Sequence, residues 1–353
     1  MRTVAFYLSV CMGLSAARGA PPNESKAAAE ATPVEKGTIE WVNGFDTAVD
    51  RAKREKKPVL ILFQEIPGCG TCTGYGRDVL SHPLIRDAAE TLFVPVCVRN
   101  NSSGDEDARV LAHFKETAWN NPVVRIVTPD RKMLTDRVNG DYTVGGMANA
   151  MVSALRAEKR EVPEYLELLA MESTARRRGV EKATFAMHCF WEGEAALGVL
   201  NGVVSTRPGF VAGKEVVEVE FDPTLIDFKT LLASAMKRKC ASTAFTRSDA
   251  QQKQAGEKLG GAAVRSDESM RPDDEPKYYL SKSEYRFVPM TDAQASRVNA
   301  AIHNGSDPKA LLSPGQIRLL DAIRQKSDSS RRSMIGRSDL IKAWGEACAA
   351  VAG

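Results

Sequence analysis

Val59-Leu60-Ile61-Leu62-Phe63-Gln64-Glu65-Ile66-Pro67-Gly68-Cys69-Gly70-Thr71-Cys72 runs from an unbroken apolar segment into two thiols three residues apart. Residues 59–63 carry no polar side chain, the pattern of a strand covered on both faces of a mixed sheet. Pro67 and Gly68 stop the run, and a helix is expected over 73–80. Cys69 therefore stands at a strand-to-helix junction. There the free N–H groups and partial positive charge of a helix N-terminus stabilise thiolate, the form that attacks disulfides. A static disulfide capping the helix is the other reading of the same pair.

Outward from this stretch, Phe45, Ala48, Val49 and Ala52 recur at helical spacing after Trp41, and Lys56-Lys57-Pro58 ends that helix. A second buried strand is expected over 92–98, with Cys97 as a small hydrophobe within it. A helix follows at 106–114. Asn121-Pro122 leads into a strand at 123–127, a turn lies at 130–132 and a helix closes the unit at 144–157. This order resembles the thioredoxin fold over residues 38–157, particularly its exported variants with a Trp-then-helix lead-in. The resemblance implies that Cys69 attacks and Cys72 resolves. It also implies that Pro122 is the proline, usually cis, that lies beside the pair and shapes substrate docking. Three features depart from the family. Gly68 replaces its tryptophan, Gly70-Thr71 replaces its Gly-Pro, and Phe63 takes the place of its buried acid, leaving Glu65 as the nearest carboxylate. Ile66-Pro67-Gly68-Cys69 is similar to the thioredoxin-like group named for a Val-Pro-Gly-selenocysteine motif, with Cys69 in the selenocysteine position.

A second thiol motif stands at Met187-His188-Cys189-Phe190-Trp191-Glu192-Gly193-Glu194. It follows a helical connector over 159–181 and a buried strand at 183–187. Residues 194–200 read as helix, residues 215–221 alternate as a strand, Asp222-Pro223 ends that strand, and residues 226–236 form an amphipathic helix. Cys189-Phe190-Trp191 with Glu194, the segment 202–210 and the strand 217–223 resemble the A-type peptide methionine sulfoxide reductases. That resemblance implies that Cys189 thiolate attacks the sulfoxide sulfur, releasing methionine and leaving a sulfenic acid. Phe190, Trp191, Phe210 and Glu194 would form the substrate site, with Phe190 and Trp191 around the methyl group. Cys240 and Cys348 are the candidate resolving thiols, Cys348 because such cysteines often lie on a mobile C-terminal tail. The family's acid machinery is depleted here. Phe210 stands where its first tyrosine would be, Glu215 is the closest carboxylate to its glutamate, and the second tyrosine is either Tyr279 or Tyr285. His188, in a glycine position, is a further candidate proton donor.

The whole chain sets the bounds. Its 353 residues, 43% hydrophobic and 26% charged, suffice for two cores. A net charge of +3 is too small to argue for nucleic acid or an anionic membrane. Residues 1–19 read as a secretory signal, with Arg2, an apolar stretch too short to span a bilayer, and Ala17-Arg18-Gly19 as cleavage site. A periplasmic or secreted protein is expected, with no stable membrane insertion after cleavage. Residues 20–37 read as a disordered linker. The cysteines left after cleavage are too sparse for a disulfide scaffold. Zinc would call for a second Cys-x-x-Cys or a His pair, and neither is present, so no metal or cofactor is expected. Residues 240–276 read as a variable loop and residues 306–353 as a helical tail.

The expected architecture is therefore α/β and α+β: a thioredoxin-like fold at 38–158, then a methionine-sulfoxide-reductase-A-like α/β sandwich at 182–305. The expected function is reduction of methionine-S-sulfoxide in oxidised exported client proteins through Cys189. The Cys69/Cys72 dithiol would supply electrons across a short tether, and an external thiol reductant would regenerate it. In the alternative, the chain is a thiol–disulfide oxidoreductase whose second half only binds clients. A third reading is a binding protein that recognises methionine through Phe190 and Trp191.

Overall fold

In the first half, α1 (Phe45–Glu55) leads into β1 (Val59–Gln64), α2 (Gly70–Tyr75) with a further helical turn over Gly76–Leu80, and α3 (Pro83–Leu92). β2 (Val94–Arg99), α4 (Glu106–Phe114), β3 (Val123–Val127), β4 (Val138–Asn139) and α5 (Val144–Ala157) complete it. The computed structural model describes residues 32–326 and 331–352. The expected signal at 1–19 and most of the linker at 20–37 lie outside them, as do residues 327–330. Part of the linker expectation is overturned: Val34–Lys36 forms a helical turn, and Glu35 is buried.

β1 is buried at every position because it is central, parallel to β2 on one side and antiparallel to β3 on the other. Its period of two divides the core. Leu60 and Leu62 pack with residues of α3 and α5. Val59, Ile61 and Phe63 pack with α1 and α4. α4 and α5 start where Asp105 and Thr143 accept the N–H of Ala108 and Gly146, the ordinary N-cap bond.

The second half is built on a six-stranded sheet. α6 (Glu164–Arg178), β5 (Glu181–Ala186), α7 (Phe190–Gly198), β6 (Val203–Val211), β7 (Lys214–Phe221) and α8 (Phe228–Lys237) come first. β8 (Thr243–Thr246), α9 (Asp249–Leu259), β9 (Ala263–Arg265) and β10 (Arg271–Pro272) follow. The sheet order is β10-β6-β7-β5-β8-β9. Residues 240–276 are thus not a loop. Their polar side chains are spent internally: Ser248 caps α9, Gln251 donates to Lys182 O at 2.8 Å and Gln252 to Ala263 O at 3.0 Å. Hydrogen bonding inside the fold makes a segment without apolar periodicity regular.

α10 (Tyr278–Ser281), α11 (Asp292–His303), α12 (Pro314–Gln325) and α13 (Leu340–Ala352) form a helical layer with a core of its own. The expected tail at 306–353 is docked. Asp87 of α3, fully buried, accepts from Ser313 Oγ at 2.5 Å and Gly315 N at 2.8 Å at the start of α12. The connector is no free tether either. Tyr165, Leu166, Leu169 and Ala170 of α6 are buried in the first half's core, while Leu168 belongs to the helical layer. Effective-concentration arithmetic for a flexible linker therefore does not apply. Among the described residues no helix is long and apolar enough to cross a membrane.

Candidate functional site

Cys69 occupies the N-cap of α2 and is exposed, whereas Cys72, one turn on, is fully buried. Their sulfurs are 3.6 Å apart, too far for a disulfide bond. The Cys72 backbone N–H does most to hold the Cys69 thiol below its ordinary range. Burial opposes it, and the Cys72 thiol and the N–H and hydroxyl of Thr71 add to it. Cys72 is pushed up to about 11, mainly by burial and then by Cys69. The asymmetry suits one attacking and one resolving sulfur. In the reduced protein, alkylation of Cys69 is expected to gain rate at a pH below that of an ordinary thiol. Cys72 should stay unmodified until the pH nears 11, as peptide mapping of the alkylated thiols across pH would read. Cys97 is pushed to about 12 by burial, in keeping with an inert core thiol.

The loop before Cys69 is held by residues far away in sequence. Gly68 N donates to Glu35 Oε1 at 2.8 Å, and Gln64 Nε2 bridges Glu35 O and Cys72 O at 2.6 and 3.1 Å. Glu35 was hidden in a segment that reads as linker, so only the fold discloses it. A Cβ on Gly68 would lie 2.5 Å from Cys72 Cβ and from Glu65 O, which explains why no tryptophan stands there. The expectation of a cis bond at Pro122 is corrected. Among the described residues the cis peptide is Ile66–Pro67, a bond spanned by Asn101, which accepts from Ile66 N at 3.2 Å and donates to Pro67 O at 3.3 Å. Pro122 is buried, and its neighbour Asn121 places Oδ1 3.6 Å from Cys69 Sγ.

Cys189 caps α7 just past the end of β5 and is half-buried. The next residue's N–H donates to Glu215 Oε2 at 3.0 Å. The β6–β7 hairpin pairs Glu215 with Phe210, so the carboxylate and the aromatic ring arrive together. Phe190 meets Phe210 edge-on at 5.3 Å and Trp191 at 5.5 Å between centroids. Trp191 stacks on Tyr278 at 4.1 Å and donates its indole N–H to Asp273 at 3.0 Å. Arg271 lies over the Phe210 ring at 4.3 Å.

The remaining candidates separate. Tyr279 is at this centre, its hydroxyl pKa raised by burial first and then by the charges of Glu192 and Cys189. Tyr285 is not: its charged neighbours are Asp307, Arg324 and Glu284. His188 is exposed. Glu194, expected to face substrate, is instead fully buried and paired with Lys277. Nζ lies 2.8 Å from Oε1, and the Lys277 N–H donates to Oε2 at 2.8 Å. Lys277 Nζ also donates to Thr206 O. Cys240 is buried in the same core as Phe190, and its thiol donates to Arg238 O at 3.3 Å. Cys348 sits on α13 within the docked helical layer, near Arg86. The mobile-tail argument for it fails for that reason.

Comparison with known proteins agrees with this two-part layout. A thioredoxin-like family model matches residues 40–129. Peptide methionine sulfoxide reductase MsrA 1 of Nostoc sp. is 39% identical over 71 residues, covering 15% of this chain and 44% of that protein. Peptide methionine sulfoxide reductase A5 of Oryza sativa subsp. japonica is 42% identical over 65 residues, covering 15% of this chain and 26% of that protein. The chain thus spans less than half the length of these curated relatives. Among solved structures, a DsbH oxidoreductase aligns with a TM-score of 0.29 and 18% identity, covering 40% of this chain and 96% of its own. The chain thus joins a thioredoxin-like region, residues 40–129, to a region similar to A-type peptide methionine sulfoxide reductases, in an α/β architecture.

Proposed function

We propose that this protein is an oxidoreductase acting on sulfur groups, which reduces methionine-S-sulfoxide in exported client proteins. The observation that carries this reading is the Cys189 centre. A half-buried thiol at a helix start has a carboxylate on the adjacent N–H and the rings of Phe190, Trp191 and Phe210 beside it. Cys189 thiolate attacks the sulfoxide sulfur and one proton goes to its oxygen. That hydroxyl then passes to Cys189 Sγ as the new sulfur–sulfur bond breaks, releasing methionine and leaving cysteine sulfenic acid. Glu215 is the proton donor best placed for this step, with Tyr279 nearby. Cys240, in the same core as Phe190, condenses with the sulfenic acid, releasing water. A Cys69/Cys72 dithiol, of the same or a second copy of the chain, reduces that disulfide, Cys69 attacking and Cys72 closing on it, and an external thiol restores the dithiol.

The test is turnover of a methionine-S-sulfoxide peptide by purified protein with dithiothreitol in excess. Turnover is the expected result. No turnover by protein that still reduces an insulin-type disulfide would overturn it. One observation favours that second reading: Phe210 offers no hydroxyl where the resemblance calls for a tyrosine. The dithiol half would then be the enzyme and the second half its client-binding surface.

A further inference from the structure

The carboxylate of Glu65 and the sulfurs of Cys69 and Cys72 all lie within 4.8 Å of one another. The ligand count that argued against zinc looked for a second Cys-x-x-Cys or a His pair along the chain, whereas here the third donor is the carboxylate at the end of β1. We propose that the reduced dithiol is a zinc site, with Cys69, Cys72 and Glu65 as ligands. This inference goes beyond sulfoxide reduction and does not depend on it.

The spacing fits the ion. Two thiolates bound to tetrahedral zinc at ~2.3 Å sit roughly 3.8 Å apart, whereas a linear two-coordinate ion with bonds of that length would hold them roughly 4.6 Å apart. The observed separation is 3.6 Å. Asn121 Oδ1, 3.6 Å from Cys69 Sγ, borders the remaining side. Three protein ligands with an open fourth position, at an exposed thiol, make a site that can exchange its metal.

The chemistry couples metal to redox state. Binding Zn²⁺ releases one proton from each thiol and ties up both sulfurs. A client disulfide that takes the two electrons of the dithiolate, with two protons, leaves as two thiols. The Cys69–Cys72 bond that forms removes both sulfur ligands and expels the ion. Zinc therefore masks the attacking thiol until it is displaced.

The experiment uses reduced full-length protein and Co²⁺ as a spectroscopic probe. One equivalent should bring up thiolate-to-cobalt charge-transfer absorption, which Zn²⁺ then removes. Cys69→Ser and Cys72→Ser should lose the band, and Glu65→Gln should bind at least about tenfold more weakly. Zinc should also slow alkylation of Cys69 in the wild type. The proposal is overturned if no charge-transfer band appears or if Glu65→Gln binds with unchanged affinity. Persistence of the band after Cys69 and Cys72 are oxidised to the disulfide would also overturn it. Each readout is metal binding, so failure here is distinct from failure of sulfoxide turnover.

Discussion

Cys189→Ser protein is expected to show no turnover of methionine-S-sulfoxide, and Glu215→Gln to retain turnover reduced about 10²- to 10³-fold in kcat. The two effects differ in kind. Serine at Cys189 cannot form the sulfenic acid, so no reduced product can appear. Glutamine at Glu215 still accepts the Phe190 N–H, which in the native protein bonds Oε2 at 3.0 Å, so the helix start is kept and only the proton is lost. Steady-state kinetics should therefore show a loss in kcat with KM little changed. Both variants keep the dithiol, and alkylation of Cys69 should be as fast as in the wild type. Equal turnover by Glu215→Gln and wild type would move the donor to Tyr279 or another group. Turnover by Cys189→Ser would remove the proposed nucleophile.

The second large effect is on stability. Lys277→Met is expected to cost about 3–5 kcal/mol, because it leaves the Glu194 carboxylate buried without its counter-ion. Burial already raises the Glu194 carboxyl above its usual range, with Lys277 opposing, and the variant loses that opposition. The folded-state value lies above the unfolded one near ~4.3 in the wild type and higher still in the variant. The two proteins differ in pH dependence only where wild-type Glu194 has given up its proton and the variant's has not. The variant's deficit should therefore be small in acid and grow with pH by up to about 1.4 kcal/mol per unit until Glu194 itself ionises. Urea denaturation at several pH values measures this. The double variant Lys277→Met with Glu194→Leu should recover much of the loss, since it removes both buried charges. A pH-independent deficit would show that packing alone was lost.

Much of the first half was legible because its apolar periods are strong. The helices at 106–114 and 144–157 and the strand at 123–127 stand where the pattern puts them. α3 was missed because Asp87 interrupts its apolar face, and that carboxylate finds its partners at Ser313 and Gly315, some 226 residues away. The strands within 240–276 were missed for a similar reason. Thr246, Gln251 and Gln252 look like loop residues until their internal bonds are seen. At the sites, thiols and aromatics announce themselves by type, and Cys69, Cys72, Cys189, Phe190 and Trp191 were readable. Glu35, Lys277 and Asn121 were not. Each acts through a long-range contact, and the chain around each carries no pattern. Glu194 was misplaced because a motif conveys that a carboxylate is needed but not which way it faces.

One consequence lies in the helix that joins the halves. α6 gives Leu166 and Leu169 to one core and Leu168 to another. Cutting the chain on either side of it would strip one core of a wall. The two redox units, alike in outline to free-standing domains, are thus not interchangeable cassettes. Thermal melting should show them lost together, and neither half expressed alone should keep the solubility of the whole.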